Sequence, residues 1–278
     1  MNLKQKYGNT ALIAGASEGI GAAFSTYLAS EGLDLVLIAR RLKPLQELAG
    51  LLESKYIVKV KCVACDLSET DAIQKLSERL DGIDISILVY NAAISVIGPF
   101  IENPPEYLTG AAHLNMITPM AMVHELGGKM LEKGRGAIVL MASMAGLQGS
   151  GYLSVYAATK AFNRVLAESL WYEWKGRGVD IMACVAGATS TPGYISTNPG
   201  KTGLFAPRVL DPDEIPGECF RYLGRKPSFI TGRSNRIASF FMQNILPRKT
   251  AIKIMGDTTR KMYRLQTGES FSGSGTNR

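Results

Sequence analysis

Tyr156 and Lys160 stand four residues apart in Tyr156-Ala157-Ala158-Thr159-Lys160. On a helix that spacing puts both on one face, one turn apart. An ammonium beside a phenol favours the phenolate, so the spacing predicts a Tyr156 whose pKa falls from about 10 toward neutrality. A tyrosine tuned in this way is a general acid or base for interconverting a carbonyl and an alcohol. Ser143 lies just past an apolar strand segment, where its hydroxyl can hold a carbonyl oxygen.

A second group of residues suits a phosphate. Ala14-Gly15-Ala16-Ser17-Glu18-Gly19-Ile20-Gly21 falls between the first strand segment and the first helical one. Glycines there allow a tight turn and let a pyrophosphate approach a helix N-terminus. The second strand ends in Ala39-Arg40-Arg41. An acid at that place would hold a ribose 2′-hydroxyl, whereas arginine accommodates a 2′-phosphate, and Ser17 can add a hydroxyl donor. The residues therefore predict NADP(H) over NAD(H). Asp66 and Leu67 close the third strand. The Asp66 carboxylate suits either an adenine amino group or a turn cap, with Ser68 capping the next helix.

The elements that must position these groups follow from the apolar pattern. Strand segments at 11–14, 35–39, 58–65, 85–91, 137–142 and 179–185 alternate with helical segments at 20–30, 42–54, 69–80, 105–131 and 154–175. The strands are continuously apolar, which suits a parallel sheet covered on both faces. The expectation is an α/β, Rossmann-like doubly wound sheet in a single domain over 1–266, with the Gly/Ser/Thr-rich 267–278 a frayed tail. Residues 187–212, with four prolines and four glycines, read as a lid or binding loop, and Asp211-Pro212-Asp213-Glu214 as a helix start.

Composition sets outer limits. Of 278 residues, 46% are hydrophobic and 20% charged, enough apolar material for a sizeable core, which excludes general disorder. No apolar run reaches the roughly 18 residues that a membrane span needs. Residues 1–8 have no apolar centre, so a secretory signal is not expected and a cytoplasmic location is. Cys62 and Cys65 fall on opposite faces of a strand and read as core residues, as do Cys184 and Cys219. His113 and His124 have no ligand partners at metal-site spacing, so no metal is expected. The net charge is +7, and residues 233–264 hold eight basic residues against Asp257 alone, which equals that whole excess. Such an end suits an anionic membrane surface or nucleic acid. The preferred reading is plainer, a solvated face of two helices parted by Pro247, because no aromatic-interleaved basic stripe supports nucleic acid. Phe240 and Phe241 suit either a pocket wall or a membrane-facing helix.

Taken together, the glycine turn, Asn91, Asn115, Ser143, Tyr156 and Lys160 resemble the short-chain dehydrogenase/reductase family over residues 6–191. The resemblance implies Tyr156 as acid/base, Lys160 on the nicotinamide ribose and tuning Tyr156, Ser143 orienting the carbonyl, and Asn115 holding a proton-relay water. It also implies cofactor contacts from Asn91, Ala92, Gly187, Thr189 and Thr191 beside those named above, and a homodimer or homotetramer built on 105–131 and 154–175. Trp171 and Trp174 then read as core or subunit contacts, and Tyr152, one turn before Tyr156, as a pocket residue. Departures from the family pattern are Ala14 for Thr, Tyr90 for Asn, Ala93 for Gly and Ala186 for Pro. They bear on the shape of the cofactor cleft rather than on the chemistry. Residues 1–8, Ala39-Arg40-Arg41, 188–192 and 232–235 are similar to bacterial NADP-dependent 7β-hydroxysteroid dehydrogenases, which implies a steroid or bile-acid-like ketone. The alternatives are a 3-oxoacyl thioester reductase with the same machinery and a catalytically idle NADPH sensor.

Overall fold

Strands whose side chains are apolar on consecutive positions need a layer of helices on each side. In the computed structural model, which describes residues 2–200 and 208–265, that is the arrangement. Seven parallel strands are β1 (Thr10–Ala14), β2 (Asp34–Ala39), β3 (Val60–Ala64), β4 (Ile87–Tyr90), β5 (Gly136–Ser143), β6 (Val179–Ala186) and β7 (Ser228–Ile230), in the order β3-β2-β1-β4-β5-β6-β7. The helices are α1 (Leu3–Tyr7), α2 (Gly19–Ser30), α3 (Leu42–Lys55), α4 (Ala72–Arg79), α5 (Pro105–Ala112), α6 (Thr118–Glu132), α7 (Ser154–Glu173), α8 (Pro192–Ser196), α9 (Glu214–Tyr222), α10 (Arg233–Phe240) and α11 (Arg248–Met262). None of them is long and apolar enough to cross a membrane.

Alternation along each strand feeds two cores. Ala11 and Ile13 of β1 pack with Phe24 and Leu28 of α2, while Leu12 and Ala14 pack with Met122 and Leu126 of α6. Cys62 lies against the first of these layers and Cys65 in the second, so the pair separates across the sheet as its spacing predicts. Trp174 is buried over Gly127, where a Cβ would come within 2.6 Å of the indole ring. The Tyr7 phenol donates to Asp180 at 2.7 Å and Lys6 donates to the same oxygen at 2.5 Å, tying α1 to β6.

Several boundaries differ from the sequence expectation. The third strand covers only Val60–Ala64, and Cys65 lies past its end. The fourth helix begins at Ala72 rather than 69, because Ser68 turns back to Asp66 instead of capping it. Ser143 is the last residue of β5 rather than the first beyond it. The 187–212 segment holds α8, capped by the Thr191 hydroxyl, and a bridge between Thr189 and Leu210. β7 has three residues, too few to show a pattern. The expected tail at 267–278 lies outside the described residues.

The region 105–131 is not one helix. A π turn at His113–Ile117 divides α5 from α6, with the Thr118 N–H donating to the His113 carbonyl. The cause is Pro119: it has no N–H for the Asn115 carbonyl four residues back, so the ladder cannot continue in α register.

Candidate active site

Strand order reverses between β1, which neighbours β2, and β4, which leads on to β5. Crossovers leave that point in opposite directions, so a crevice opens at the carboxyl ends of β1 and β4. A cleft of about 300 Å³ lies there. Its floor is the glycine turn. Gly15 and Gly19 have φ of +78° and +56°, in the left-handed region that favours glycine. A Cβ on Gly15 would stand 2.7 Å from the Ala92 backbone, and one on Gly19 2.7 Å from the Thr191 side chain. Side chains at these positions would fill the cradle. Gly21 sits behind the turn, its Cα against the Gly15 carbonyl and the Asn91 amide, and Asn91 donates to the Gly15 carbonyl at 3.0 Å.

Ser17, Glu18 and Ile20 form one wall, Arg40, Arg41, Asp66 and Leu67 the next, and Asn91, Ala92 and Thr191 the far side. Arg41 pairs with Glu18 at 3.2 Å across the cleft mouth, both well exposed. Asp66 accepts from the Ser68 amide and hydroxyl at 2.9 and 2.6 Å, so the turn-cap reading of this residue holds. Burial works to raise the Asp66 pKa, but the Ser68 hydrogen bonds and the Arg40 charge outweigh it and hold the carboxyl below its usual range. Of the two threonines after β6, Thr191 lines the cleft. Thr189 is buried, with its hydroxyl on the Gly187 carbonyl. Gly187 itself packs against the Asn235 amide. The residues fit a dinucleotide: a narrow glycine floor, the first turn of α2 for the pyrophosphate, and two guanidinium groups at the end of β2.

Ser143, Tyr156 and Lys160 come together where the carboxyl end of β5 meets the first turns of α7. Ser143 leaves the sheet and caps a 3₁₀ turn at Met144–Leu147, its hydroxyl accepting from the Ala145 amide at 3.2 Å. Lys160 is 3% exposed, and its ammonium donates to the Met141 carbonyl at 2.9 Å. Burial pulls the Lys160 pKa down to about 8. The ammonium stands 5.8 Å from the centre of the Tyr156 ring. The expected lowering of the Tyr156 pKa by Lys160 does not occur. Burial dominates and raises it, opposed by the Ser143 and Ser95 hydroxyls beside the phenol. A phenol so held is protonated at neutral pH and can give its proton to an oxygen resting on Ser143.

Asn115 sits in the π turn, fully buried. Its side chain accepts from the Ile94 amide and donates to the Ile94 carbonyl and the Thr159 hydroxyl, at 2.9, 2.9 and 3.1 Å. Pro119 strips the Asn115 carbonyl of its helical donor, and the Asn163 amide replaces it at 3.0 Å. The Leu114 carbonyl loses its donor too, since Thr118 turns to His113. The Tyr90 phenol takes its place at 2.6 Å, inside the core. Tyr90, read from the sequence as a departure, thus ties the end of β4 to the π turn.

Tyr152 is half-buried with φ of +63°, its carbonyl accepting from the Gly98 amide at 2.9 Å. It lies before α7 begins, so the one-turn spacing to Tyr156 does not apply. Tyr194 opens the second of two segments, 147–153 and 194–207, that the sequence offers as pocket-forming, whereas Ser95 and Tyr263 carry no signal in the sequence. Tyr263 caps the carboxyl end of α11, and its charge when ionised adds to the burial that raises both Tyr156 and Tyr194. No spacing links these residues: Ser95 follows β4, Tyr194 lies in α8, and Tyr263 comes in at the end of α11. The Gly200 amide donates to the Met262 carbonyl at 2.7 Å, and Gln243 donates to Leu147 and Gln148 at 3.2 and 2.9 Å.

The short chain dehydrogenase family matches residues 9–201, the span that holds both the cleft and the Ser143, Tyr156 and Lys160 group. The chain belongs to that family. This dehydrogenase is 33% identical over 238 residues to a 7beta-hydroxysteroid dehydrogenase of Collinsella aerofaciens, covering 85% of this chain and 90% of that one. It is also 33% identical over 181 residues to a very-long-chain 3-oxoacyl-CoA reductase of Pyricularia oryzae, covering 63% and 55%. A solved 7beta-hydroxysteroid dehydrogenase superposes with a TM-score of 0.86 at 31% identity, over 92% of this chain and 99% of that one. A short-chain dehydrogenase of Sphingobium yanoikuyae in complex with NADPH does so with a TM-score of 0.73 at 27% identity, over 86% and 96%. The dehydrogenase is accordingly an oxidoreductase that acts on CH–OH groups with a nicotinamide cofactor.

Two outcomes follow from the geometry. Tyr90→Phe leaves the Leu114 carbonyl buried without a donor and should cost about 1–3 kcal/mol of unfolding free energy, read by urea denaturation. Lys160→Met removes a buried ammonium. Because the folded-state pKa lies below the unfolded value of 10.5, the unfolded chain binds more protons between about 8 and 10.5, and wild-type stability rises with pH in that window. The stability advantage of the methionine variant should therefore be constant below pH 8. Above it, the advantage should shrink by up to about 1.4 kcal/mol per pH unit in paired denaturation curves.

Proposed function

We propose that this dehydrogenase interconverts a ketone and a secondary alcohol using NADP(H), with a steroid or bile-acid-like ketone as the substrate class. The observation that carries the cofactor choice is the pair Arg40 and Arg41 at the end of β2, beside Ser17, where no carboxylate follows the strand. Those three side chains would hold the 2′-phosphate, and Gly15, Glu18, Gly19, Ile20 and Gly21 the pyrophosphate turn. Asp66, Leu67, Asn91 and Ala92 would hold the adenosine side, and Thr191 the carboxamide, with Gly187 and Thr189 shaping the loop that carries it. When bound, the nicotinamide supplies or accepts the hydride at C4. Ser143 holds the carbonyl oxygen and Tyr156 gives it a proton. Lys160 spends one of its three donors on Met141 and has two for the nicotinamide ribose. The Asn115 carbonyl, with one lone pair taken by Asn163, has the other for a relay water. Positioning the reactants is worth about 7–11 kcal/mol of barrier.

The substrate class rests on similarity to the 7beta-hydroxysteroid dehydrogenase over 85% of the chain, against 63% for the 3-oxoacyl-CoA reductase. We further place the dehydrogenase in the cytoplasm as a homodimer or homotetramer, for which exposed Tyr107, Ile117, Met120 and Val165 offer an apolar face on α5, the π turn, α6 and α7.

The test is NADPH and NADH consumption against a panel of steroid ketones, 3-oxoacyl thioesters and small cyclic ketones. Selective NADPH turnover of steroid ketones is expected; turnover of thioesters alone would transfer the assignment to the acyl reductases. Tyr156→Phe should cut turnover by about 10²–10⁴-fold with NADPH affinity nearly unchanged. Arg40→Ala should weaken NADPH binding by roughly 10- to 150-fold and leave NADH binding alone. Turnover that survives the tyrosine change would show the acid/base assignment to be wrong.

A further inference from the structure

The two C-terminal helices carry a surface that neither the cleft nor the core explains. Along α10 and the π turn after it, Phe241–Ile245, the residues Ile237, Phe240, Phe241 and Ile245 recur at helical spacing, each more than half exposed. Asn235 and Ser239 on the opposite side are buried, so the apolar stripe faces outward. The rings of Phe240 and Phe241 stand edge to face, 6.0 Å apart. Leu246 and Pro247 then turn the chain into α11, whose first residues are Arg248 and Lys249. No acidic residue accompanies them in that first turn. Two cations at a helix N-terminus oppose the helix dipole, so helix formation does not explain them. Lys253 follows Lys249 by one turn on the same face. Among the described residues, only Arg236 and Arg260 of this segment have an acidic partner, Glu218 and Asp257. A solvated basic face, the plainer expectation, does not account for the phenylalanines.

We propose that this face docks on a bilayer containing anionic lipid, with the Phe240, Phe241 and Ile245 side chains in the interfacial layer and Arg248, Lys249 and Lys253 against the headgroups. Charge decides the occupant. A second copy laid on this face would bring two surfaces of the same net sign together, since Asp257 is its one acidic residue between 233 and 264. An anionic headgroup layer pairs with the cations and with the positive end of α11 at once, and accepts the aromatic stripe beside them. The placement has a use, because the helix pair rests on the loops that border the site. Gln243 bonds Leu147 and Gln148, a Cβ on Gly149 would touch Ile252 at 3.5 Å, and Gly200 bonds Met262. An apolar substrate dissolved in the membrane would meet the protein beside its pocket.

The test is co-sedimentation of the full chain with vesicles of phosphatidylcholine mixed with phosphatidylglycerol, against vesicles of phosphatidylcholine alone. The dehydrogenase is expected to bind the mixed vesicles only, and less as salt rises. Phe240→Ser with Phe241→Ser should lower that binding at least tenfold. Arg248→Gln with Lys249→Gln and Lys253→Gln should lower it on the order of a hundredfold, about fivefold for each charge. Both variants change exposed side chains, and circular dichroism and turnover of a water-soluble ketone should match the wild type. Equal binding to both vesicle types, no binding to either, or binding unchanged in the variants overturns the proposal. So does a change of sedimentation coefficient in the phenylalanine variant without vesicles, which would assign the face to a contact between copies of this chain.

Discussion

A parallel strand can be followed only by a crossover that returns the chain to the same edge of the sheet. All seven strands here obey that constraint, so every carboxyl end lies on one side of the molecule. The reversal of order between β1 and β4 then leaves one place where no crossover covers that side. The glycine turn after β1, the arginines after β2, Asp66 after β3, Asn91 after β4, Ser143 at the end of β5 and Thr191 after β6 arrive at this edge for the same reason. Sites distant in sequence converge because the sheet has a polarity. Their chemistry differs, but their address does not.

The second constraint is a missing proton donor. Pro119 has no N–H, and the helix that should run unbroken from 105 cannot bond through it. One extra residue enters the turn, and two carbonyls, on Leu114 and Asn115, lose the N–H that an α register would give them, because Thr118 turns to His113 and Pro119 has none. Leaving both unpaired in the core would cost several kcal/mol. Tyr90 and Asn163 meet them instead, one from the sheet and one from α7. The π turn is thereby held from both sides, and Asn115 is set where its side chain clamps both polar groups of Ile94. A tyrosine at 90 in place of the family's asparagine is thus a different solution to the same region rather than damage to it. The smaller residue Ala93 lies at the cleft wall, where the extra methyl of an alanine over glycine finds room.

The fold was legible because its strands are apolar on consecutive positions and its glycine turn falls between a strand and a helix. The candidate site was legible as a set of chemical groups, Ser143, Tyr156 and Lys160, which the fold brings together. The electrostatics were not. Spacing alone put the Lys160 ammonium beside the Tyr156 phenol, but it could not show the Met141 carbonyl that holds that ammonium, nor the burial that raises the tyrosine. Tyr263 was invisible for a similar reason: it reaches the site through the packing of α11, which no local pattern encodes. Tyr152 shows the limit of helical spacing, for a count of four residues means one turn only when both residues are in the helix.

The same packing ties the surface of the protein to its interior. The segment with the whole excess of positive charge is also the segment that holds the loops on either side of the Ser143, Tyr156 and Lys160 group, through Gln243 on residues 147–148 and Met262 on Gly200. Gln148 is buried, so its hydrogen bond to Gln243 is made in a place where an unpaired amide would be costly. Moving the Phe241–Ile245 turn away from the body of the domain would break that bond. The sheet thus fixes the cleft at the ends of β1 and β4, whereas the 147–148 loop and Gly200 are held from the far end of the chain.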